Sequence, residues 1–196
     1  VTATAGGDVG VDSAFGAVGT VDAVASGSIF VAASDDIGSV TATAVGDGYA
    51  DVEVTSLTGN IGTVVADASD DIYVEAMQGT ITSVTATAED GYVEVLAEDV
   101  TSVTATAGGD SAGIESLGTG DIYVQAYGGS VGSVVGNASD DFVVQASSDI
   151  GSVAGVGDSL FVSAGGSVQT VDVEIMAGDD VFNTRELSYS LGFGTD

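Results

Sequence analysis

Five residues, Val40-Thr41-Ala42-Thr43-Ala44, recur along the chain and decide its fold. The same five letters begin again at Val1, Val84 and Val103, and looser copies that keep the leading valine begin at residues 21, 64, 134, 153 and 171. Six of the eight steps between successive leading valines are 18 to 20 residues long. A repeat of this length is typical of a solenoid, in which each unit buries its apolar face against its neighbours.

Alternation predicts two short strands in each repeat. In Val40 to Ala44 the valine and alanines face one side and the threonines the other, because successive strand residues point to opposite faces. A second alternating segment, clearest at Ile72-Tyr73-Val74-Glu75-Ala76, recurs at residues 29–33, 122–126, 142–146 and 160–164. We therefore predict an all-β protein, a parallel β-helix (β-solenoid) of about nine coils of roughly 19–20 residues.

The regular repeats cover residues 1–177, and larger residues interrupt the pattern in residues 178–196. We expect this last segment to be an irregular C-terminal cap or junction. The sequence begins at Val1 rather than at methionine and has no visible secretory signal, so we expect a processed chain or a segment of a longer one.

Charge limits the partners of this chain. Its 196 residues include 30 acids, one basic residue (Arg185) and no histidine, for a formal net charge of -29. Binding of nucleic acid or of an anionic membrane surface needs clustered basic residues, so neither is an expected partner. Membrane insertion is not expected either, because no apolar run approaches the roughly 20 residues that a spanning helix needs. The acidity is compatible with cation binding, and equally with simple solubility or adaptation to salt water.

Acidic residues recur in the first turn of nearly every repeat, and stacking would bring them into a column. Calcium accepts six to eight oxygen ligands in irregular geometry, so such a column could bind it. Gly6-Gly7-Asp8 and Gly108-Gly109-Asp110 resemble the start of the calcium-binding β-roll repeat, although the full motif is absent. Calcium is the one cofactor that we expect, and its candidate ligands are Asp70, Asp71, Asp90, Asp121, Asp140, Asp141 and Asp158.

An outward aromatic column is the second candidate site. In Ile72-Tyr73-Val74 the flanking residues point inward, so the tyrosine points outward. An exposed aromatic row is typical of an interface, but cross-strand stacking that only stabilises the sheet explains it equally well. The residues matched to this position are Phe30, Tyr73, Tyr92, Tyr123 and Phe161.

Two repeats are longer than the rest, through insertions at Val45 to Ala50 and Gly108 to Gly120. Both lie in the first turn, on one edge of the rod, where solenoids often build a binding face. Tolerated surface loops are the alternative interpretation. Ranks of outward threonines are typical of some ice-binding solenoids, but here positions such as Asp22 and Val65 interrupt them.

The residue types do not favour catalysis. The chain has no histidine and no cysteine to act as base, nucleophile or metal ligand, and Arg185 is its only basic side chain. Polysaccharide-cleaving β-helices can use carboxylates, so such an enzyme stays a minor alternative, although no isolated acid pair stands out. We therefore expect that this chain is not an enzyme.

The segments Gly38 to Ala44, Gly120 to Ala126 and Gly129-Ser130-Val131 resemble the repeats of filamentous-haemagglutinin-like adhesins over most of residues 1–177. The resemblance is generic, since alternating valine, alanine and glycine occur in many solenoids. It implies a right-handed parallel β-helix in a secreted bacterial filament, located outside the cell or on its surface, and not a catalyst.

Together these features predict an extracellular structural subunit that assembles into a filament, sheath or surface layer. The expected partner is another copy of the chain, stacked head to tail between the first strand and the last coil. An adhesin segment that binds a surface glycan through the two insertions is the alternative function. The strand residues expected at the assembly interface are Val1, Thr2, Ala3, Thr4, Ala5, Val171 and Val173.

Overall fold

The computed structural model describes residues 1–46, 49–108, 120–175, 180–183, 186–187 and 192–193, with side chains as far as Glu174. These residues form strands and turns, and there is no helix among them long and apolar enough to cross a membrane. The strands are β1 (Thr2–Ala5), β2 (Val9–Ser13), β3 (Val18–Ala25), β4 (Ile29–Ala33), β5 (Ile37–Ala44), β6 (Val52–Ser56), β7 (Ile61–Ala68), β8 (Ile72–Ala88), β9 (Val93–Ala107), β10 (Ile122–Ala126), β11 (Val131–Ala138), β12 (Asp141–Ala146), β13 (Ile150–Gly157), β14 (Ser159–Ala164), β15 (Ser167–Ile175), β16 (Asp180–Asn183), β17 (Glu186–Leu187) and β18 (Gly192–Phe193).

All strand pairings are parallel and join equivalent strands of successive coils. One sheet stacks the Val-Thr-Ala-Thr-Ala segments, as in β5 on β3 and β7 on β5. The other stacks the Ile-x-Val-x-Ala segments, as in β6 on β4 and β12 on β10. The long strands β8 and β9 pass round a corner and contribute to both sheets. The predicted all-β parallel solenoid is confirmed, and the repeats form about eight turns.

Each full coil has seven inward positions, and apolar side chains fill most of them. Their spacing follows the alternation of the two strands, with one further apolar residue at the beginning of the first strand, such as Ile61 in β7. Small and β-branched residues suit these positions, because coils stacked about 4.8 Å apart leave little room between facing side chains. In the coil that begins with β7 all seven are 3% exposed or less: Ile61, Val64, Ala66, Ala68, Ile72, Val74 and Ala76.

Side chains at two corners of the coil continue the hydrogen bonding where the sheets end. At each corner an oxygen of an Asp, Asn or Ser side chain accepts the backbone N–H of the equivalent residue in the next coil. These bonds satisfy amides that strand pairing does not reach. At the corner before the Ile-x-Val-x-Ala strands these bonds, each given from the backbone N–H donor to the side-chain acceptor, are Ser28 to Asp8 (2.9 Å), Asp51 to Ser28 (3.1 Å), Asp71 to Asp51 (3.3 Å), Tyr92 to Asp71 (3.1 Å) and Asp141 to Asp121 (3.0 Å). At the opposite corner they are Asn60 to Asp36 (2.7 Å), Thr80 to Asn60 (2.9 Å), Ser130 to Asp99 (2.7 Å) and Ser167 to Asp149 (2.8 Å).

The sheet continues into the last segment of the chain. β16 pairs in parallel with β14, and β17 and β18 pair with the two ends of β15. Most of residues 178–196, including Arg185, lies outside the described residues. The predicted boundary of the solenoid at residue 177 therefore stays a prediction.

Candidate functional site

The outward face of the Ile-x-Val-x-Ala sheet carries a column of aromatic and acidic residues. Strand register places one residue of the column in each coil, directly above its neighbour. We call this set the outer column, and in coil order it consists of Phe30, Glu53, Tyr73, Glu94, Tyr123, Val143 and Phe161. An aromatic ring therefore recurs at every second coil, about 10 Å from the next, and a carboxylate lies in two of the three intervening coils.

The prediction that Tyr92 belongs to this column is wrong. Glu94, not Tyr92, pairs with Tyr73 and Tyr123, because the inward residues Val93 and Val95 set the register of this coil. Tyr92 lies at the corner before the strand, where its N–H donates to Asp71. The Tyr92-Val93 pair resembles Tyr73-Val74 in sequence, but Val93 pairs with Ile72, so Tyr92 lies two residues before the column position of its coil.

Hydrogen bonds along the strands hold the two tyrosines of the outer column. Tyr73 Oη donates to Glu75 Oε2 (2.7 Å), and Tyr123 Oη donates to Gln125 Oε1 (3.0 Å), in each case two residues further along the same face. Tyr127, two coils from Glu75, also donates its hydroxyl to that carboxylate (3.1 Å). Partial burial, followed by the bond to Glu75, raises the pKa of Tyr73. Its hydroxyl therefore stays a neutral hydrogen-bond donor.

The acids of this face have no basic side chain to pair with among the described residues, since Arg185 lies outside them. Burial, with a smaller effect of the nearby Glu75 carboxylate, raises the pKa of Glu94. Glu53 is exposed, whereas Glu75 and Glu94 are half-buried. The face is consequently both aromatic and negatively charged.

A cluster of three carboxylates forms at the corner below the first insertion. One carboxylate oxygen each of Asp51, Asp70 and Asp71 lies within 4.8 Å of the other two, and all three residues are half-buried. Burial raises the pKa of Asp71 to about 6, with further increases from Asp70 and Asp51, while the N–H of Tyr92 lowers it. Burial, then Asp51 and Asp90, raises the pKa of Asp70. The neighbouring carboxylates therefore disfavour ionisation of Asp70 and Asp71, and a bound cation would relieve this repulsion.

Asp70 and Asp71 were predicted as metal ligands, whereas Asp51 was not. Asp51 directly follows the first insertion and precedes Val52, as Asp71 precedes Ile72, and this shared position is the sequence signal. In the described part of the chain this is the one group of three such ligands. The other predicted ligands, Asp90, Asp121, Asp140, Asp141 and Asp158, are not part of it.

Those five acids lie at corners and are spread over several coils. Asp121 is buried, at 6% exposed, and its carboxylate accepts the N–H of Asp141. The backbone N–H of Asp90 donates to Ser69, that of Asp140 to Gly120 and that of Asp158 to Asp140. Carboxylates such as that of Asp121 thus connect coils even where no metal cluster forms.

The two insertions leave the coil at the same corner. Val45 N donates to Ala25 O (3.1 Å), and Gly108 N donates to Ala88 O (3.0 Å), which are equivalent bonds in different coils. In the first insertion Ala50 is buried and Tyr49 is 89% exposed, and a shallow hollow beside it is lined by Ser26, Val45, Gly46, Ser69 and Glu89. Between Gly108 and Gly120 the second insertion lies outside the described residues.

Comparisons with protein-family models, with curated protein sequences and with solved structures found no match to this chain. The fold by itself therefore defines the class, which is a generic parallel β-solenoid.

Proposed function

We propose that this chain is a structural β-solenoid, an extracellular or cell-surface rod that assembles by stacking coil on coil between copies. The observation that carries the proposal is the equivalence of the coils. Each coil presents nearly the same set of inward residues, in the same register, to the coils on both sides. Any coil edge is therefore complementary to any other, which favours extension of the rod by further copies.

The edge at β1 is the expected contact. Among the described strands β1 pairs with β3 on one side only, through Thr2 to Ala5. Ala3 and Ala5 point toward the core but are only partly buried, and Val1 is 64% exposed. A further coil would pair with this strand and cover these side chains.

The partner surface in the proposal is β15 of another copy, at residues 169–173, which lie between its pairings with β17 and β18. Val171 and Val173 are its buried inward residues, at 0% and 1% exposed. Contact between β1 of one copy and β15 of the next joins two different surfaces, so it generates an open filament rather than a closed dimer. The net charge of -29 opposes such contacts, and salt or calcium should promote them by screening or bridging the carboxylates.

Light scattering over a series of sodium chloride and calcium concentrations tests this function, and we expect the mass to rise with both. The variant Ala3→Asp/Ala5→Asp places charges on the inward side of β1 and should abolish the growth. Its control, Thr2→Asp/Thr4→Asp, adds the same charge to the outward side and should assemble at higher salt. A monomer under every condition would contradict head-to-tail assembly, and mass spectrometry of the native N-terminus would then establish whether a preceding coil belongs to the same chain.

Binding of a glycan by an adhesin segment is the second candidate function. It is favoured by the position of both insertions at one corner, next to the hollow beside Val45 and Gly46. A glycan array compares the wild type with a variant in which residues 45–50 are shortened to the turn found in the next coil. Unchanged binding, or no binding by either protein, would count against the adhesin function.

A further inference from the structure

The outer column has a period that the rest of the coil lacks. Rings lie at Phe30, Tyr73, Tyr123 and Phe161, one in every second coil, whereas the inward residues repeat in every coil. The distance between neighbouring rings along the rod is about 10 Å, twice the coil spacing. A partner that uses all four rings must therefore be long, extended and periodic.

An extended β-1,4-linked polysaccharide has this period. It advances by nearly one coil spacing per sugar and turns each ring over relative to the last, so one ring face recurs at every second sugar. The C–H groups on that face suit the negative face of an aromatic ring. An extended peptide fits less well, since its side chains recur on one face at about 7 Å.

The negative charge of the outer column indicates which of these polysaccharides it would bind. Glu53 and Glu94 lie in the coils between the rings, and Glu75 lies beside Tyr73, with no basic side chain near them in the described part of the chain. An anionic polymer or a second copy of this chain would be repelled by this face. Amino groups on alternate sugars of a β-1,4-linked chain project to the same side, which is also the period of the two carboxylates.

We propose that the outer column is a docking surface for an extended β-1,4-linked polysaccharide that carries free amino groups. The polymer lies along the rod axis, with alternate sugars on Phe30, Tyr73, Tyr123 and Phe161. The ammonium groups of the intervening sugars pair with Glu53 and Glu94 in charge-assisted hydrogen bonds. The hydrogen bonds to Glu75 and Gln125 hold the tyrosine rings in place before binding.

Calorimetry with four probes tests the chemistry: the hexamers of glucosamine, of N-acetylglucosamine and of glucose, all β-1,4-linked, and a polylysine of similar charge. We expect the glucosamine hexamer to bind best and to weaken with added salt. Equal binding of the glucose hexamer would overturn the role of charge, and equal binding of polylysine would overturn the role of the sugar. Absence of binding by the glucosamine hexamer would overturn the whole proposal.

Variants test the period. Tyr123→Ala should weaken binding about tenfold, as loss of one aromatic anchor does, whereas Phe15→Ala removes a 97% exposed ring outside the column and should change nothing. The exchange Glu94→Tyr/Tyr123→Glu keeps the composition and charge but moves one ring by one coil, and it should weaken binding as much as Tyr123→Ala. Wild-type affinity of the exchange variant, with an unchanged melting temperature, would overturn the proposed period.

Discussion

Phe142 takes the place that Ile122 holds in the coil before it, and Gly136 takes the place of Ala105. The two changes compensate each other, because a methyl group at Gly136 would lie 2.7 Å from Cζ of the phenylalanine ring. The ring thus occupies the space that an alanine side chain fills in the neighbouring coil. In this thin core the total volume of the inward side chains of a coil is conserved, whereas the volume at a single position is not.

A double-mutant cycle tests this compensation. Gly136→Ala should destabilise the fold by about 1–3 kcal/mol through overpacking, and Phe142→Ile by about 1 kcal/mol or more through the cavity that it leaves. The double variant recreates the alanine–isoleucine pair of the preceding coil. Its loss of stability should be much smaller than the sum of the losses of the two single variants. Denaturant unfolding measures all four proteins, and additive losses would mean that the two residues do not share this space.

Two opposing interactions act on the carboxylate of Asp71: the charges of Asp70 and Asp51 repel it, and the N–H of Tyr92 donates a hydrogen bond to it. Its pKa in the folded protein, about 6, lies above the ordinary value of 3.8, so the folded state binds a proton more tightly than the unfolded state. Stability therefore falls as the pH rises from about 4 to about 6 and stays reduced above that range.

Asp71→Asn keeps the acceptor and removes the charge. We expect the wild type to melt at a lower temperature at neutral pH than at about pH 5, and the variant to show a smaller difference. Calcium should raise the melting temperature of the wild type more than that of the variant. As a control, Asp71→Ala removes the hydrogen bond as well and should be less stable than Asp71→Asn. Identical pH and calcium responses of Asp71→Asn and the wild type would show that this cluster has no part in either.

At the scale of the strand, the inside and outside of the coil differ sharply in what they tolerate. Val74 is 0% exposed between two coils, whereas Thr85, on the other sheet, is exposed to solvent. No basic side chain in the described part of the chain could compensate a charge in the core. The seven inward positions of a coil consequently hold uncharged residues, nearly all of them apolar.

Val74→Asp should cost several kcal/mol, because an ionised carboxylate without a partner would be buried between coils. Thr85→Asp introduces the same group on the outer surface and should lower the midpoint of denaturation only slightly. Chemical denaturation of both variants measures the difference. Losses of similar size would mean that the assignment of faces does not govern stability.

At the scale of the whole molecule, a net charge of -29 on a 19.0 kDa chain acts against both folding and association. The corner carboxylates that accept backbone N–H groups account for part of this charge, since Asp is one of the few side chains that fit there. The hydrogen-bonded corners therefore stabilise neighbouring coils and repel one another at the same time.

Added salt should therefore raise the melting temperature of the monomer, because it screens repulsion among the corner carboxylates. The assembly-blocked variant Ala3→Asp/Ala5→Asp separates this effect from filament formation, since it should gain stability from salt while its mass stays constant. Thermal melts with light scattering measure both quantities. A melting temperature independent of salt in this variant would show that carboxylate repulsion does not limit its stability.

The local sequence pattern by itself determined the structure of a single coil. The 18- to 20-residue step, the two alternating segments and the inward phase of residues such as Val40 and Ala42 follow from the direction of side chains along a strand, which the sequence alone determines. The same pattern predicted the corner acids Asp70 and Asp71, because turn residues recur at fixed places in the repeat.

Only the tertiary structure decided which residues lie above one another. Register between coils depends on how each corner is built, and it places Glu94 in the outer column instead of Tyr92, which lies two residues earlier. The approach of Asp51 to Asp70 and Asp71, and the fit of Phe142 against Gly136, likewise depend on contacts across the coil. Such contacts are set by the packing of the whole coil, because residues distant in sequence must share a small volume.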